Sequence, residues 1–98
     1  MAAIKAAVLK ASDQGLDDGF DWAQRVTVAA MEQLLADPLG ADEGLVNAVG
    51  RAALCARWGL DTSDSAGWLM CCGAYNGGFW AGVTQCLETI RAAQEVES

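Results

Sequence analysis

The chain has 98 residues, 53% of them hydrophobic, so it is long enough for one domain, too short for two and too apolar for a disordered tail. Its formal net charge is −7, a sign of charge that repels nucleic-acid phosphates and attracts basic protein surfaces. An alanine-rich composition with a single proline favours helices over strands. We therefore expect one all-α domain over residues 1–98 that does not bind nucleic acid directly.

The first half of the chain predicts two helices joined by a very short turn. Apolar residues recur at helical spacing over residues 2–14, and Gly15-Leu16 then matches the glycine and hydrophobe that close many helices. Asp17 or Asp18 is expected to cap a second helix over residues 19–36. This helix should end at Asp37-Pro38, because the residue before a proline disfavours helical geometry.

The second half of the chain repeats this arrangement. A third helix is predicted over residues 42–58, and it ends at Gly59-Leu60-Asp61, the same three residues as Gly15-Leu16-Asp17. Each tripeptide would join two helices into an αα-hairpin, and Pro38-Leu39-Gly40-Ala41 would link the two hairpins. The sequence thus predicts a four-helix up-down-up-down bundle.

The predicted fourth helix, over residues 64–95, is long and largely uncharged, since residues 65–87 contain no Asp, Glu, Lys or Arg. A helix of this length measures about 48 Å, whereas a compact chain of this size is about 33 Å across. We expect either a kink near Gly77, within Asn76-Gly77-Gly78, or a partner that covers the overhang. A membrane-associated helix is a further alternative, which the glycines, the polar residues and the lack of flanking basic residues disfavour.

The fourth helix also carries apolar residues at alternating spacings of three and four, as in coiled coils. Gly73 and Gly77, like Gly78 and Gly82, form patterns that let helix backbones approach closely. These features predict an oligomer or partner seam that consists of Leu69, Asn76, Phe79, Trp80 and Val83. A homodimer is one outcome. In the alternative, the glycines seat a tryptophan or the second helix inside one monomer.

No catalytic, cofactor or metal site is predicted. The chain has no histidine, and its cysteines lack C-x-x-C spacing. These cysteines lie among apolar residues and are expected to act as small hydrophobes: Cys55, Cys71, Cys72 and Cys86. Lysines interrupt the apolar residues of 1–10, so this stretch does not match a secretory signal. We expect a non-enzymatic protein of the cytoplasm.

The acidic residues are expected to concentrate at one end of the bundle, because both hairpin turns lie there. This predicted acidic pole consists of Asp13, Asp17, Asp18, Asp21, Asp61 and Asp64. In one interpretation each carboxylate caps the start of a helix and is otherwise solvated. In the other, the pole is a docking face for a basic protein surface.

In size, acidity and lack of catalytic residues the chain resembles the small inhibitor proteins of phages and mobile elements, such as anti-CRISPR proteins. The resemblance is one of composition and includes no shared motif. It implies a protein that docks on a larger basic partner, such as a nucleic-acid-binding protein or nucleoprotein complex, and inhibits or modulates it. The alternative is a structural or assembly subunit that homo-oligomerises through the fourth helix.

Overall fold

The computed structural model describes residues 2–37 and 40–97, and within them the chain is all-helical. The helices are α1 (Ala2–Ala23), α2 (Val28–Ala36), α3 (Ala41–Val49), α4 (Arg51–Trp58) and α5 (Ser65–Glu97). The all-α prediction is therefore confirmed for this part of the chain. The helices do not form the two predicted hairpins. There are five of them in the described residues instead of four, and the first and last run parallel, as shown below.

The first predicted turn does not exist, because α1 continues through Gly15-Leu16-Asp17. Gly15 keeps a helical backbone rather than the left-handed one that closes a helix. Its role is close packing: a Cβ at Gly15 would lie 2.2 Å from the carbonyl oxygen of Tyr75, and one at Gly19 would lie 2.2 Å from that of Phe79. The prediction of a helix end at Gly15 was wrong, because this glycine allows α5 to pack closely and does not form a turn.

The two long helices α1 and α5 lie side by side and run parallel. A Cβ at Gly78 would meet the backbone of Ser12, and a Cβ at Gly82 would meet that of Leu16. Both contacts advance by four residues in the same direction along the two helices, so the helices are parallel. Because both helices have glycines at the contact, no side chain separates them and their backbones touch directly. This parallel pair forms the centre of the fold.

The chain between them returns along α5 in three short helices. Thr27 caps α2 by accepting a hydrogen bond from the amide of Ala30 at 3.1 Å. Asp37 ends α2 as predicted, whereas Pro38 and Leu39 of the predicted link lie outside the described residues. The predicted third helix is divided at Gly50, whose φ of 95° only glycine adopts readily, into α3 and α4.

The second predicted turn is confirmed. Gly59 closes α4 in the left-handed conformation with φ 81° and ψ 32°, and the amide of Leu60 donates to the carbonyl of Cys55 at 2.8 Å. Helix α5 then begins at Ser65 and continues without interruption across Asn76-Gly77-Gly78.

The protein is elongated, with extents of 53 × 25 × 19 Å. A helix of 33 residues measures about 50 Å, so α5 sets the length of the molecule. The core lies between α5 and the other helices, and its largest fully buried side chains are Trp58, Met31, Leu54, Val83, Cys55 and Cys71. In the described part of the chain, none of the helices combines the length and apolarity that a bilayer span requires.

Candidate functional site

Three carboxylates form a row along the outer side of α1, which we name the acidic ridge: Asp13, Asp17 and Asp21. All three are exposed, and each lies one helical turn, about 6 Å, beyond the last. Because α1 is continuous here, none of them caps the start of a helix. Like charges at this spacing destabilise a helix by about 0.2–0.5 kcal/mol per pair, so local structure does not explain the ridge.

Basic residues stand at both ends of the acidic ridge. Lys10 lies one turn before Asp13, and Arg25 pairs with Asp21 at 2.9 Å. Both members of this pair are more than half exposed, and an exposed ion pair contributes only about 0–1 kcal/mol. The pair between Arg25 and Asp21 therefore adds little to the stability of α1.

Two open grooves flank Asp17. The α1–α5 groove, of about 490 Å³, is lined by Leu16, Asp17, Phe20, Asp21, Gln24, Gln85 and Thr89. The α1–α4 groove, of about 480 Å³, is lined by Lys10, Asp13, Gln14, Asp17, Asp18, Arg57 and Trp58. The first groove combines apolar side chains with two carboxylates, an environment that suits the alkyl stem and the charged end of an arginine or lysine.

Asp18 points away from the acidic ridge and belongs to a hydrogen-bonded network between helices. Its carboxylate accepts from the Tyr75 hydroxyl at 2.8 Å and from the Gln14 amide at 3.5 Å. The Gln14 carbonyl in turn accepts from the Trp58 indole at 2.9 Å. Burial, and then the hydrogen bond to Asp18, raise the pKa of Tyr75. Asp18 therefore holds α1, α4 and α5 together.

Asp61 and Asp64 lie in the turn between α4 and α5 and serve that turn. Asp61 accepts from the amide and hydroxyl of Ser63 at 2.8 and 2.6 Å, and these bonds lower the pKa of its carboxyl group. Asp64 accepts from the amide of Gly67 at 2.9 Å in the first turn of α5. The six residues of the predicted pole therefore do not lie together: three are in the acidic ridge, Asp18 bonds to neighbouring helices, and Asp61 and Asp64 stabilise the turn before α5.

The five residues of the predicted seam on α5 differ in burial and in partners. Asn76 faces α3, where its side chain accepts from the Asp42 amide at 2.8 Å and donates to the Asp42 carboxylate at 2.9 Å. Phe79 and Val83 are buried in the core. Leu69 and Trp80 are exposed, at 70% and 42%. The five residues therefore do not form one surface.

The cysteines are buried and free, and they contribute apolar packing. Burial raises the pKa of Cys71 and, with Asp42 beside it, raises the pKa of Cys72 to about 11, so both remain thiols near neutral pH. Across residues 2–37 and 40–97, no three His, Cys, Asp or Glu side chains come together in a way that could hold a metal ion.

The Trp58–Gln14–Asp18–Tyr75 network and the Asn76–Asp42 pair were not predicted from the sequence. Both join helices that are distant in sequence, so no local pattern marks them. One pattern was available for α1, namely a small residue at every fourth position: Ala7, Ala11, Gly15, Gly19 and Ala23. All five are buried, and their unbroken spacing indicates a single helix.

Comparisons of this chain with protein-family models, with curated proteins and with solved structures gave no match.

Proposed function

We propose that this protein is a small, non-enzymatic binding protein that docks its acidic ridge on a basic surface of a larger protein and thereby inhibits or modulates that partner. The observation that carries the proposal is the exposed row of Asp13, Asp17 and Asp21 on an unbroken helix. These carboxylates cap no helix start and repel one another, and the exposed pair of Asp21 with Arg25 contributes little, so a role outside the chain accounts for them better than a role inside it.

The geometry of the acidic ridge suits a surface rich in arginine and lysine. The ridge is about 12 Å long from Asp13 to Asp21 and offers acceptors at one-turn intervals. Charge-assisted hydrogen bonds from guanidinium or ammonium groups to carboxylates are about twice as strong as neutral ones. A nucleic-acid-binding protein presents such groups to phosphates, and a bound acidic ridge would occupy them.

The net charge of −7 supports this mode of association. Complementary charge raises the association rate at low ionic strength, and salt screens it over about 8–10 Å. The complex should therefore form fast and weaken as salt increases. Inhibition then follows from occupancy of the basic surface and needs no chemical step.

The test compares two triple variants that change the net charge by the same amount, from −7 to −4. The ridge variant carries Asp13→Asn, Asp17→Asn and Asp21→Asn. The control variant carries Asp37→Asn, Glu43→Gln and Glu88→Gln, which are exposed on three other helices or helix ends. The tagged parent is used to capture a partner from a bacterial lysate, and the affinity of each variant for that purified partner is then measured against salt.

We expect the ridge variant to lose at least about tenfold in affinity and the control variant to lose less than about threefold, because each removed contact to a charged group costs about 1–3 kcal/mol. Equal binding by the parent and the ridge variant would refute the proposal. Equal weakening of both variants would also refute it, since only total charge would then matter.

A further inference from the structure

A cavity of about 350 Å³ lies between α1 and α3, where α2 and α5 also contribute to its wall. Small-molecule sites in proteins measure about 300–1,000 Å³, so this cavity is within their range. Its lining includes at least one residue from each of the four helices: Trp22, Leu34, Gly44, Leu45, Tyr75 and Phe79.

This cavity differs in charge from the two grooves beside Asp17. Each of those grooves presents carboxylates, whereas none of the described residues that line this cavity is charged. Water in an apolar cavity finds few hydrogen-bonding partners, so an apolar ligand displaces it favourably. Burying an ion there costs free energy, because no lining side chain can pair with its charge. The cavity therefore suits a neutral molecule.

Three aromatic rings in mutual contact form one side of the cavity. The ring centroids of Trp22 and Phe79 are 5.7 Å apart, and those of Tyr75 and Phe79 are 6.1 Å apart, with the rings tilted by 49° and 45°. An aromatic ligand beside such rings gains tilted or offset ring contacts in addition to the burial of apolar area. Since about 150 Å³ is enough for benzene, about 350 Å³ holds a molecule of about two rings.

Hydrogen bonds from two consecutive residues of α5 fix both sides of the cavity. Tyr75 donates to Asp18 of α1 at 2.8 Å, and Asn76 bonds the amide and the carboxylate of Asp42 on α3 at 2.8 and 2.9 Å. The helices on either side are thus held before any ligand binds, as in most small-molecule sites. The same two carboxylates make the approach of an anion unfavourable.

Gly44 leaves space on the α3 side of the cavity. It is the fourth of nine residues in α3, a position where glycine is less favourable than alanine. Its φ is not positive and nothing lies within 4 Å of a Cβ placed on it, so neither its backbone conformation nor close packing requires a glycine. A larger side chain at Gly44 would take up part of the cavity. Gly77 is equally open but does not line the cavity.

We propose that the cavity between α1 and α3 binds a small, neutral aromatic molecule of about two rings. This function is separate from docking through the acidic ridge, because none of Asp13, Asp17 and Asp21 lines the cavity. A ligand there contacts four helices at once, so it also stabilises the folded protein.

The first experiment titrates the isotope-labelled protein with indole, a neutral molecule of two fused rings, and follows the amide and side-chain N–H signals by NMR. We expect saturable binding with a dissociation constant below about 1 mM. The signals of the four tryptophans report the location. The Trp22 indole signal should shift, whereas that of Trp80, which does not line the cavity, should not. A carboxylate derivative of indole, with the same rings and a negative charge, should bind at least about tenfold more weakly.

The second experiment compares Gly44→Met with its matched control, Gly77→Met. Each replaces an open helical glycine by a good helix former, so neither should lower the stability of the fold. We expect Gly44→Met to weaken indole binding at least about tenfold and Gly77→Met to change it by less than about twofold.

Four outcomes would each overturn the proposal: no saturable binding of indole, signal shifts centred on Trp80 instead of Trp22, equal affinity for the carboxylate derivative, or unchanged affinity in Gly44→Met. Both methionine variants retain the acidic ridge, so their result is independent of the ridge variants.

Discussion

At the scale of single residues, all the glycines but Gly67 belong to three kinds, defined by their surroundings or backbone conformation. Gly15, Gly19, Gly78 and Gly82 lie against the backbone of another helix, so a Cβ at any of them would collide with it. Others, such as Gly59, adopt a positive φ. Gly44, Gly73 and Gly77 do neither, because their surroundings are open. The sequence shows that glycine is abundant, but whether a glycine belongs to the first kind depends on neighbours 60 or more residues away.

The first prediction concerns a glycine of the close contact. A Cβ at Gly78 would lie 2.2 Å from the Ser12 carbonyl oxygen, so Gly78→Ala should push α1 away from α5 and lower the free energy of unfolding by about 1–3 kcal/mol. Gly44→Ala is the control and should raise it by about 0.5–1 kcal/mol, because alanine favours an exposed helix. Urea unfolding of both variants measures this, and equal effects would contradict the packing described.

The second prediction concerns alkaline pH. Burial raises the pKa of Cys72 to about 11, above the value of about 9 in the unfolded chain. The thiol therefore contributes its full stability below pH 9, and this contribution is lost as the pH rises towards 11. The loss is about 1.4 kcal/mol for each pH unit in which only the unfolded chain is ionised. Tyr75, whose pKa is also raised, adds a further loss above pH 10.

Thermal unfolding between pH 8 and 11 should show this decline, and Cys72→Ala should flatten the part between pH 9 and 10. Tyr75→Phe should flatten the part above pH 10. Since the chain has one tyrosine, the ultraviolet absorbance of tyrosinate reports its ionisation directly. Normal ionisation of Tyr75 in the folded protein near pH 10 would contradict the burial of its hydroxyl and the bond to Asp18.

At the scale of elements, the tripeptide Gly-Leu-Asp has two outcomes in one chain. At Gly59 it ends a helix, and at Gly15 it lies inside one. The tripeptide alone cannot distinguish them, because the outcome at Gly15 depends on the packing of α5 against it. The helical class, the end of α4 and the long uncharged α5 were predictable from propensity and spacing. The parallel pairing of α1 with α5 was not, since it depends on contacts between the two ends of the chain.

The third prediction concerns how α3 is held. The side chain of Asn76 bonds both the amide and the carboxylate of Asp42, so it anchors the first turn of α3 on α5. Asn76→Ala leaves both groups without this partner and should cost about 1–3 kcal/mol. It should also speed hydrogen exchange across α3 more than elsewhere. Asn47→Ala, on the exposed side of α3, is the control. If both variants changed stability and hydrogen exchange equally, Asn76 would not be the anchor of α3.

The fourth prediction concerns the cost of the acidic ridge to α1. Asp17 has a carboxylate one turn away on each side, so Asp17→Asn removes two repulsive pairs and should raise the free energy of unfolding by about 0.4–1 kcal/mol at low salt. The gain should shrink as salt screens the charges. Glu43→Gln provides a comparison on another helix. A loss of stability in Asp17→Asn would show that Asp17 supports the fold and would weaken its assignment to docking.

At the scale of the whole molecule, the sequence predicted acidity and a large uncharged surface, and the structure gives each a location. The acidic ridge lies on α1, and the exposed apolar side chains Leu69, Met70 and Trp80 lie on α5. Only three of the six aspartates of the predicted pole are in the ridge, because the pole depended on a hairpin turn at Gly15 that does not form.

The parallel contact between the first and last helices has a consequence for how the chain folds. Ribosomal synthesis delivers α1 first, yet its glycines can be covered only when residues 75–82 have emerged. Until then α1 has no packing partner of comparable length, and its buried small residues remain in water. Closing a loop of about 60 residues is entropically costly, so we expect this protein to fold more slowly than helical domains built from neighbouring hairpins. Stopped-flow refolding should show this delay, and Gly78→Ala should lengthen it if the contact belongs to the transition state.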